Sequence, residues 1–377
     1  TSQNESPISQ TQVPAEVPLD PTSEEAYLRA LGDVRGSDLL PRITMIHASG
    51  ADFFSYEKDE FAVEFRAALS KFDTIQFVSN GPVLKTNAPP AVGGRYYSLI
   101  VYPLTDVPDA THRIELRHPA TNAILFNQTL DARGLDQNFT NLPDSGMNEG
   151  MSHLASGIAA VEGIVFKHFI SFGGSNRLFD CLAFLPTIDD DITTRVSSNA
   201  VKCLSRFKAS GNGLPLVHAA LGFAIMQGAR DGDLDISLGE GFVVDIAEEA
   251  SAVVRAGLEH APKSGLLHGL LAFVSLYQNN DFGVSIDLFD TALSLSPYDL
   301  NIWGGKARVL ARSGRYEESL SILASLRTSS VGAQPYWAFT GFLSALASEN
   351  ADEMLFWSNR LGGVSNPFYY TARIISA

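Results

Sequence analysis

Hydrophobic and polar positions alternate in two different ways along this chain. Short runs rich in β-branched and aromatic residues occur at RITMIH (42–47), DTIQFVS (73–79), RYYSLIVYPL (95–104), HRIELRH (112–118) and AILFNQTLD (123–131). Bounded by turn-forming residues, such runs predict strands. Two segments, YEKDEFAVEFRAALSKF (56–72) and SGMNEGMSHLASGIAAVEGIVFKHFI (145–170), instead repeat their apolar residues at helical spacing. The order β-α-β, strand meander, then a closing helix predicts an α/β domain over 41–172.

From residue 173 onward only the helical period persists. LYQNNDFGVSIDLFDTALSLSP (276–297) and LARSGRYEESLSIL (310–323) fall into register at a shift of 34 residues. Leu276 then meets Leu310, Asn280 meets Gly314, Phe282 meets Tyr316, Ser285 meets Ser319 and Phe289 meets Leu323. Amphipathic pairs also occur downstream, around SEN (348–350), and upstream, where LPLVHAALGFAIMQG (214–228) precedes DIAEEASAVVRAGLEHAPKSG (245–265). An earlier pair spans NRLFDCLAFLP and TTRVSSNAVKCLSRFKASG, joined by TIDDDI. Repeated helix–turn–helix units bury their faces against one another, so 173–377 is expected to be a stack of helical hairpins. Their period resembles that of tetratricopeptide repeats, most closely over 264–326, with Trp303 and Ala307 at the early large and small positions. The fold class expected is an α/β domain followed by an all-α hairpin-repeat domain.

The chain has two cysteines. Cys181 and Cys203 lie equally far from Ile192 at the TIDDDI turn, so an antiparallel hairpin brings them level. Two arrangements fit: a disulfide, which points to an oxidising compartment such as a periplasm, or two thiols packed as small hydrophobes.

Residues 1–40 open with TSQNESPISQTQVPAEVPLDPTSEEA, whose Ser, Thr, Gln and Pro content predicts a flexible linker. Thr1 in place of methionine suggests a processed product or a piece, with any signal or membrane anchor upstream. No run reaches the ~20 apolar residues of a membrane helix. A net charge of −15 repels phosphate backbones and argues against direct nucleic-acid binding.

The order of elements resembles a known arrangement, a TolB-amino-terminal-like domain preceding tetratricopeptide-type repeats. The residues that carry the likeness are the strand ITMIH, the helix FAVEFRAALSKF with TIQFVS after it, the strand pair YYSLIVYPL…HRIELRHPATNAILFNQTL, and the cysteine hairpin FDCLAF…VKCLSRF. The chain departs from the family at 46–50, where IHASG replaces the usual LPF. This resemblance implies the periplasmic sensory region of CadC-type membrane-anchored winged-helix transcriptional regulators. The same accessory region occurs in bacterial nucleotide cyclases, which would place it in the cytoplasm, and a stand-alone adaptor is a third reading. The expected partner is a protein or a small molecule, and a homodimer is compatible with each reading. Membrane attachment would come only through a segment upstream of Thr1.

Motifs with catalytic spacing are not found: there is no GxxxxGK[ST], HExxH, CxxC or GxSxG. DGDLDISLGEG (231–241) spaces Asp231, Asp233 and Asp235 like a calcium loop, but Ile236 and Phe242 stand where Gly and Glu are required. GGSN (173–176) reads as a joint and DDD (189–191) as a capping turn. His112 and His118 share a strand face without a third ligand, and His218 and His268 lie on apolar helix faces. The expectation is therefore no catalytic residue, no metal and no cofactor. Binding falls instead to the inner face of the stack: Tyr277 and Gln278 on one hairpin, with Asn301, Gly305, Arg308 and Arg312 at helical spacing on the next. Two arginines beside amide and phenol groups suit an anionic ligand, unless local carboxylates already pair with them.

Overall fold

The computed structural model describes residues 40–47, 59–77, 96–104, 110–118, 121, 123–131, 149–161, 163–172, 181–182, 196–209, 214–230, 242–278, 281–327, 335–361, 372, 374 and 375. Arg42–His47 (β1), Gln76–Phe77 (β2), Tyr96–Pro103 (β3), Ala110–His118 (β4) and Ala123–Asp131 (β5) form a mixed sheet in the order β2-β1-β3-β4-β5. β1 runs parallel to β2 and β3, and β3, β4 and β5 form an antiparallel meander. Ile43, Tyr97, Leu99, Val101, Ile114 and Leu116 are buried on one face. Ser98, Ile100 and Glu115, which point the other way, are buried as well. A central strand covered on both sides needs no alternation, which is why SLIV reads as a continuous run.

Three elements differ from the sequence reading. The first helix is α1, Glu60–Leu69, shorter than 56–72 because Asp59 caps it: its Oδ1 accepts from Ala62 N at 3.1 Å. The second strand, expected over 73–79, pairs at Gln76–Phe77 among the described residues, and Asp73 and Thr74 before it are used elsewhere. Thr74 Oγ1 donates to the Ala159 carbonyl, and Asp73 faces the helical region. The single closing helix of 145–170 is two helices, α2 (Glu149–Ala159) and α3 (Ile164–Phe172). Gly163 N donates to Ala160 O at 2.7 Å, a tight turn that ends one helix and starts the next.

The remaining helices are α4 (Val196–Ala209), α5 (Pro215–Arg230), α6 (Phe242–His260), α7 (Gly265–Gln278), α8 (Phe282–Leu295), α9 (Leu300–Arg312), α10 (Tyr316–Leu326), α11 (Pro335–Ala347) and α12 (Ala351–Arg360). Consecutive helices from α5 onward pack as hairpins, and α5, α7, α9 and α11 also pack on one another in series. The first helices of the last three hairpins start at 265, 300 and 335, and their second helices at 282, 316 and 351. Two of these three second helices share their capping chemistry, whereas Arg315 before α10 makes no side-chain cap bond. Asp281 Oδ1 caps α8 through Val284 N at 3.1 Å, and Asn350 Oδ1 caps α12 through Glu353 N at 3.2 Å. Gly314, between α9 and α10, has φ +84°, a value that favours glycine at the end of a helix. Gly304 on α9 admits the Trp337 ring: a Cβ there would lie 2.0 Å from Trp337 Nε1. None of the described helices is long and apolar enough to cross a membrane.

Cys181 and Cys203 are joined by a disulfide with a Cα separation of 5.5 Å. The turn at 183–195 that would bring them level lies outside the described residues, as do the GGSN, DDD and Asp231–Asp235 segments.

The core does not divide where the secondary structure changes. One buried cluster runs from Leu40 through the sheet and α1–α3 to Cys181, Leu204, Leu221, Ala250 and Val274. A second begins at Ala272 and continues to Ala372. The change of texture near 172–173 is thus a change of secondary structure within a shared core. Polar bonds add to the joint. Ser264 Oγ, beside the start of α7, donates to Asp73 Oδ2 at 2.5 Å, and Ser296 Oγ donates to Lys71 O at 2.8 Å. Ser156 Oγ on α2 donates to Tyr298 O at 2.8 Å and accepts from Leu300 N at 3.0 Å. His153 Nε2 donates to Ser325 O at 2.9 Å.

Candidate functional site

The first helix of each hairpin turns one stripe inward, toward the other hairpins' first helices. On α7 that stripe carries Phe273 and Tyr277, both half-buried, with rings 5.1 Å apart and close to edge-on. On α9 it carries Arg308 and Arg312 one turn apart. Arg308 Nη2 donates to Tyr277 OH at 2.9 Å, and its guanidinium lies 5.3 Å from the Phe273 ring and 6.0 Å from Tyr336 on α11. Arg312 lies 5.2 Å over the Tyr277 ring and is exposed. Tyr336 OH reaches back to the Asn301 carbonyl at 3.5 Å. Aromatic faces attract cations and hold a guanidinium flat with its N–H edges directed outward.

Neighbouring cations are paired in another way. Lys306 holds Asp290 at 2.6 Å, Arg315 grips both oxygens of Glu318 at 2.6 and 2.5 Å, and Arg327 is paired with Glu353. No described carboxylate pairs with Arg308 or Arg312. In a chain of net charge −15, these two guanidinium groups have aromatic neighbours and no acidic partner among the described residues. Their N–H groups are suited to holding a carboxylate or phosphate in a bidentate fashion.

Of the residues singled out from the sequence, Tyr277, Arg308 and Arg312 come together. Asn301 joins them through its carbonyl, and Gln278 sits at the end of α7, half-buried beside Tyr277. Gly305 does not belong to the face. A Cβ at that position would meet the Phe289 ring of α8 at 2.6 Å, so it marks helix packing. Phe273 and Tyr336 escaped the sequence reading. The signal was present in the period, since 273 and 308, 277 and 312, and 301 and 336 are each one 35-residue step apart.

The histidines occupy structural positions. His218 is buried, with Nδ1 3.1 Å from Val253 O, and His268 Nε2 lies 3.0 Å from Pro262 O. His112 Nε2 meets Asp59 Oδ2 at 3.0 Å, while His118 Nδ1 meets Thr121 Oγ1 at 3.0 Å. The two share a strand face but serve opposite ends of it. The His118 ring lies 4.8 Å from that of His168, tilted by 55°, and His168 Nδ1 is 3.1 Å from Tyr97 OH. Burial, then the neighbouring His118, holds the His168 imidazole below its ordinary pKa, and burial pushes the Tyr97 phenol up. Among the described residues no group of three His, Cys, Asp or Glu side chains is placed to hold a metal ion.

Two carboxylates, Asp299 buried and Asp73 half-buried, lie at the joint between sheet and hairpins. Asp299 caps α9, with Oδ1 accepting from Asn301 N at 2.9 Å. Burial, partly offset by that backbone bond, pushes its pKa up to about 6, with the Asp73 charge adding to the shift. Asp73 is raised for the same first reason, against the lowering effect of Ser264. No protein-family model matches the chain, and no curated protein matches its sequence.

Proposed function

We propose that this chain is the non-catalytic sensory or interaction region of a membrane-anchored bacterial transcriptional regulator. On this reading the sheet module is of the TolB-amino-terminal-like type, and the hairpins are tetratricopeptide-type repeats. The region works in the periplasm and relays binding to a DNA-binding domain outside this chain. The observation that carries the reading is the pair of guanidinium groups at Arg308 and Arg312, held by aromatic rings and without a described carboxylate partner. Such a face is equipped to recognise an anionic group. The Cys181–Cys203 disulfide supports an oxidising compartment. The shared core and the bonds from Lys71, Asp73 and Ser156 support relay, because binding on the hairpins acts on a body continuous with the sheet.

Acid-quenched thiol trapping in the native cells tests the compartment. An oxidised pair supports the periplasmic reading, whereas two free thiols favour the cytoplasmic cyclase-accessory alternative. A regulator is tested by Arg308→Gln in the full-length gene. It should alter transcription of target genes while the level of the protein is unchanged, and an unaltered transcript profile overturns the proposal.

A further inference from the structure

One face of the sheet packs on the helices through Ile43, Tyr97, Leu99, Ile114 and Leu116. Strand alternation turns Thr44, Ile46, Ser98 and Ile100 to the opposite face. All four are nonetheless buried, Thr44 at 7% exposure and Ser98 at 1%, although Ile46 and Ile100 belong to none of the core clusters. They form two successive rungs, since Thr44 pairs with Ser98 across β1 and β3, and Ile46 with Ile100. The first rung is polar, and neither Thr44 Oγ1 nor Ser98 Oγ has a hydrogen-bond partner among the described residues. A buried hydroxyl without a partner costs stability, so two in register mark a place where an outside group can supply what the chain does not.

Cationic heads flank this rung. Arg42, one rung earlier, donates from Nη1 to Tyr96 OH at 3.0 Å, and Arg117, in register with Ser98 on β4, is paired with Glu115. Both guanidinium groups already bond within the face, so the hydroxyls are the donors that an incoming group engages first. Two donors side by side match the two oxygens of a carboxylate. A phosphate would turn further oxygens toward Ile46 and Ile100, which offer no side-chain donor. Rungs two residues apart are separated by about 6.6 Å, and C–C bonds of about 1.5 Å laid in a zigzag cover this in about five bonds. We infer that this face of the sheet binds a small aliphatic monocarboxylate of about six carbons, its carboxylate across Thr44 and Ser98 and its tail along Ile46 and Ile100. The order of the rungs fixes its direction. Glu115, in register with Ile100, sets a carboxylate beside the tail end and works against a diacid there. The site lies in the sheet, away from Arg308 and Arg312, and does not depend on the reading proposed for them.

Isothermal titration calorimetry of the full, disulfide-bonded chain with sodium hexanoate tests this. Saturable binding is expected. Acetate, which lacks the tail, and 1-hexanol, which lacks the charge, should each bind at least about tenfold more weakly. Thr44→Val and Ser98→Ala each remove one hydroxyl and should weaken hexanoate by about tenfold. Without hexanoate the same variants should melt no lower than the parent, because neither hydroxyl has a bond to lose among the described residues. A purely structural pair would behave in the opposite way. The inference is overturned if hexanoate shows no saturable binding, if the hydroxyl variants bind it unchanged, or if either variant melts lower or fails to fold. Acetate, hexylamine or inorganic phosphate binding as tightly as hexanoate overturns it too. An unaltered transcript profile in Arg308→Gln leaves this inference standing, and hexanoate that does not bind leaves the reading of the hairpin face standing.

Discussion

Asp299→Asn should make the protein more stable at neutral pH and less stable in acid. In the native state the carboxyl titrates at about 6, against an ordinary value of 3.8. A group raised in this way prefers its proton in the folded protein. It therefore costs stability above the folded value, and the cost vanishes below the unfolded one. At about 1.4 kcal/mol for each pH unit of difference, ionised Asp299 costs on the order of 3 kcal/mol at pH 7.5 and about 0.5 kcal/mol at pH 4. Asparagine caps a helix as well as aspartate does. Its NH2 cannot accept the weaker bond from Ile302, which removes about 1 kcal/mol at every pH. The variant should then exceed the parent by about 2 kcal/mol at pH 7.5, fall about 0.5 kcal/mol below it at pH 4, and cross it between about pH 4 and 5. Urea unfolding between these pH values, followed by the fluorescence of Trp303, Trp337 and Trp357, measures the difference directly. His168, held below its ordinary pKa, destabilises the parent in acid, but it is common to both proteins and cancels in the comparison. A gap that is constant with pH, or a variant weaker than the parent at pH 7.5, would refute the account of Asp299 as a buried charge that its capping bond offsets only in part.

Removing the disulfide by Cys203→Ala should cost about 3 kcal/mol in urea, because the bridge closes a loop of 22 residues; parent and variant should converge in a strong reductant. Gly304→Ala places a methyl group 2.0 Å from Nε1 of the fully buried Trp337 and should cost about 1–3 kcal/mol, with a shift in Trp emission. An unchanged midpoint would mean that α9 and α11 are not in close contact there. Ser156→Ala leaves the Tyr298 carbonyl and the Leu300 N–H without their partner and should cost about 2 kcal/mol, with faster hydrogen exchange over 298–303.

Strands such as RITMIH and AILFNQTLD could be read from the sequence because composition and flanking turns decide them locally. Their observed bounds, Arg42–His47 and Ala123–Asp131, coincide with those runs. The hairpins were equally legible, since Phe282, Tyr316 and their partners return at a fixed interval. Local patterning misses what distant residues decide. Asp73 and Thr74 read as part of a strand, but Ser264 and the Ala159 carbonyl draw them into a turn. The binding face was half visible: helical spacing picks out Arg308 and Arg312, whereas Phe273 and Tyr336 reach them only from neighbouring helices. Gly305 shows the opposite error, a residue with suitable spacing whose Cβ direction is taken up by Phe289.

The bond from Leu300 N to Ser156 Oγ has a consequence for how the molecule comes into being. The leading N–H of α9 is satisfied by a hydroxyl 144 residues earlier in the chain. A ribosome makes the sheet module first, so by the time α9 emerges the group that receives its opening turn is already in position. The early part of the protein serves as a mould for α9, which without it would begin with its leading amide facing water.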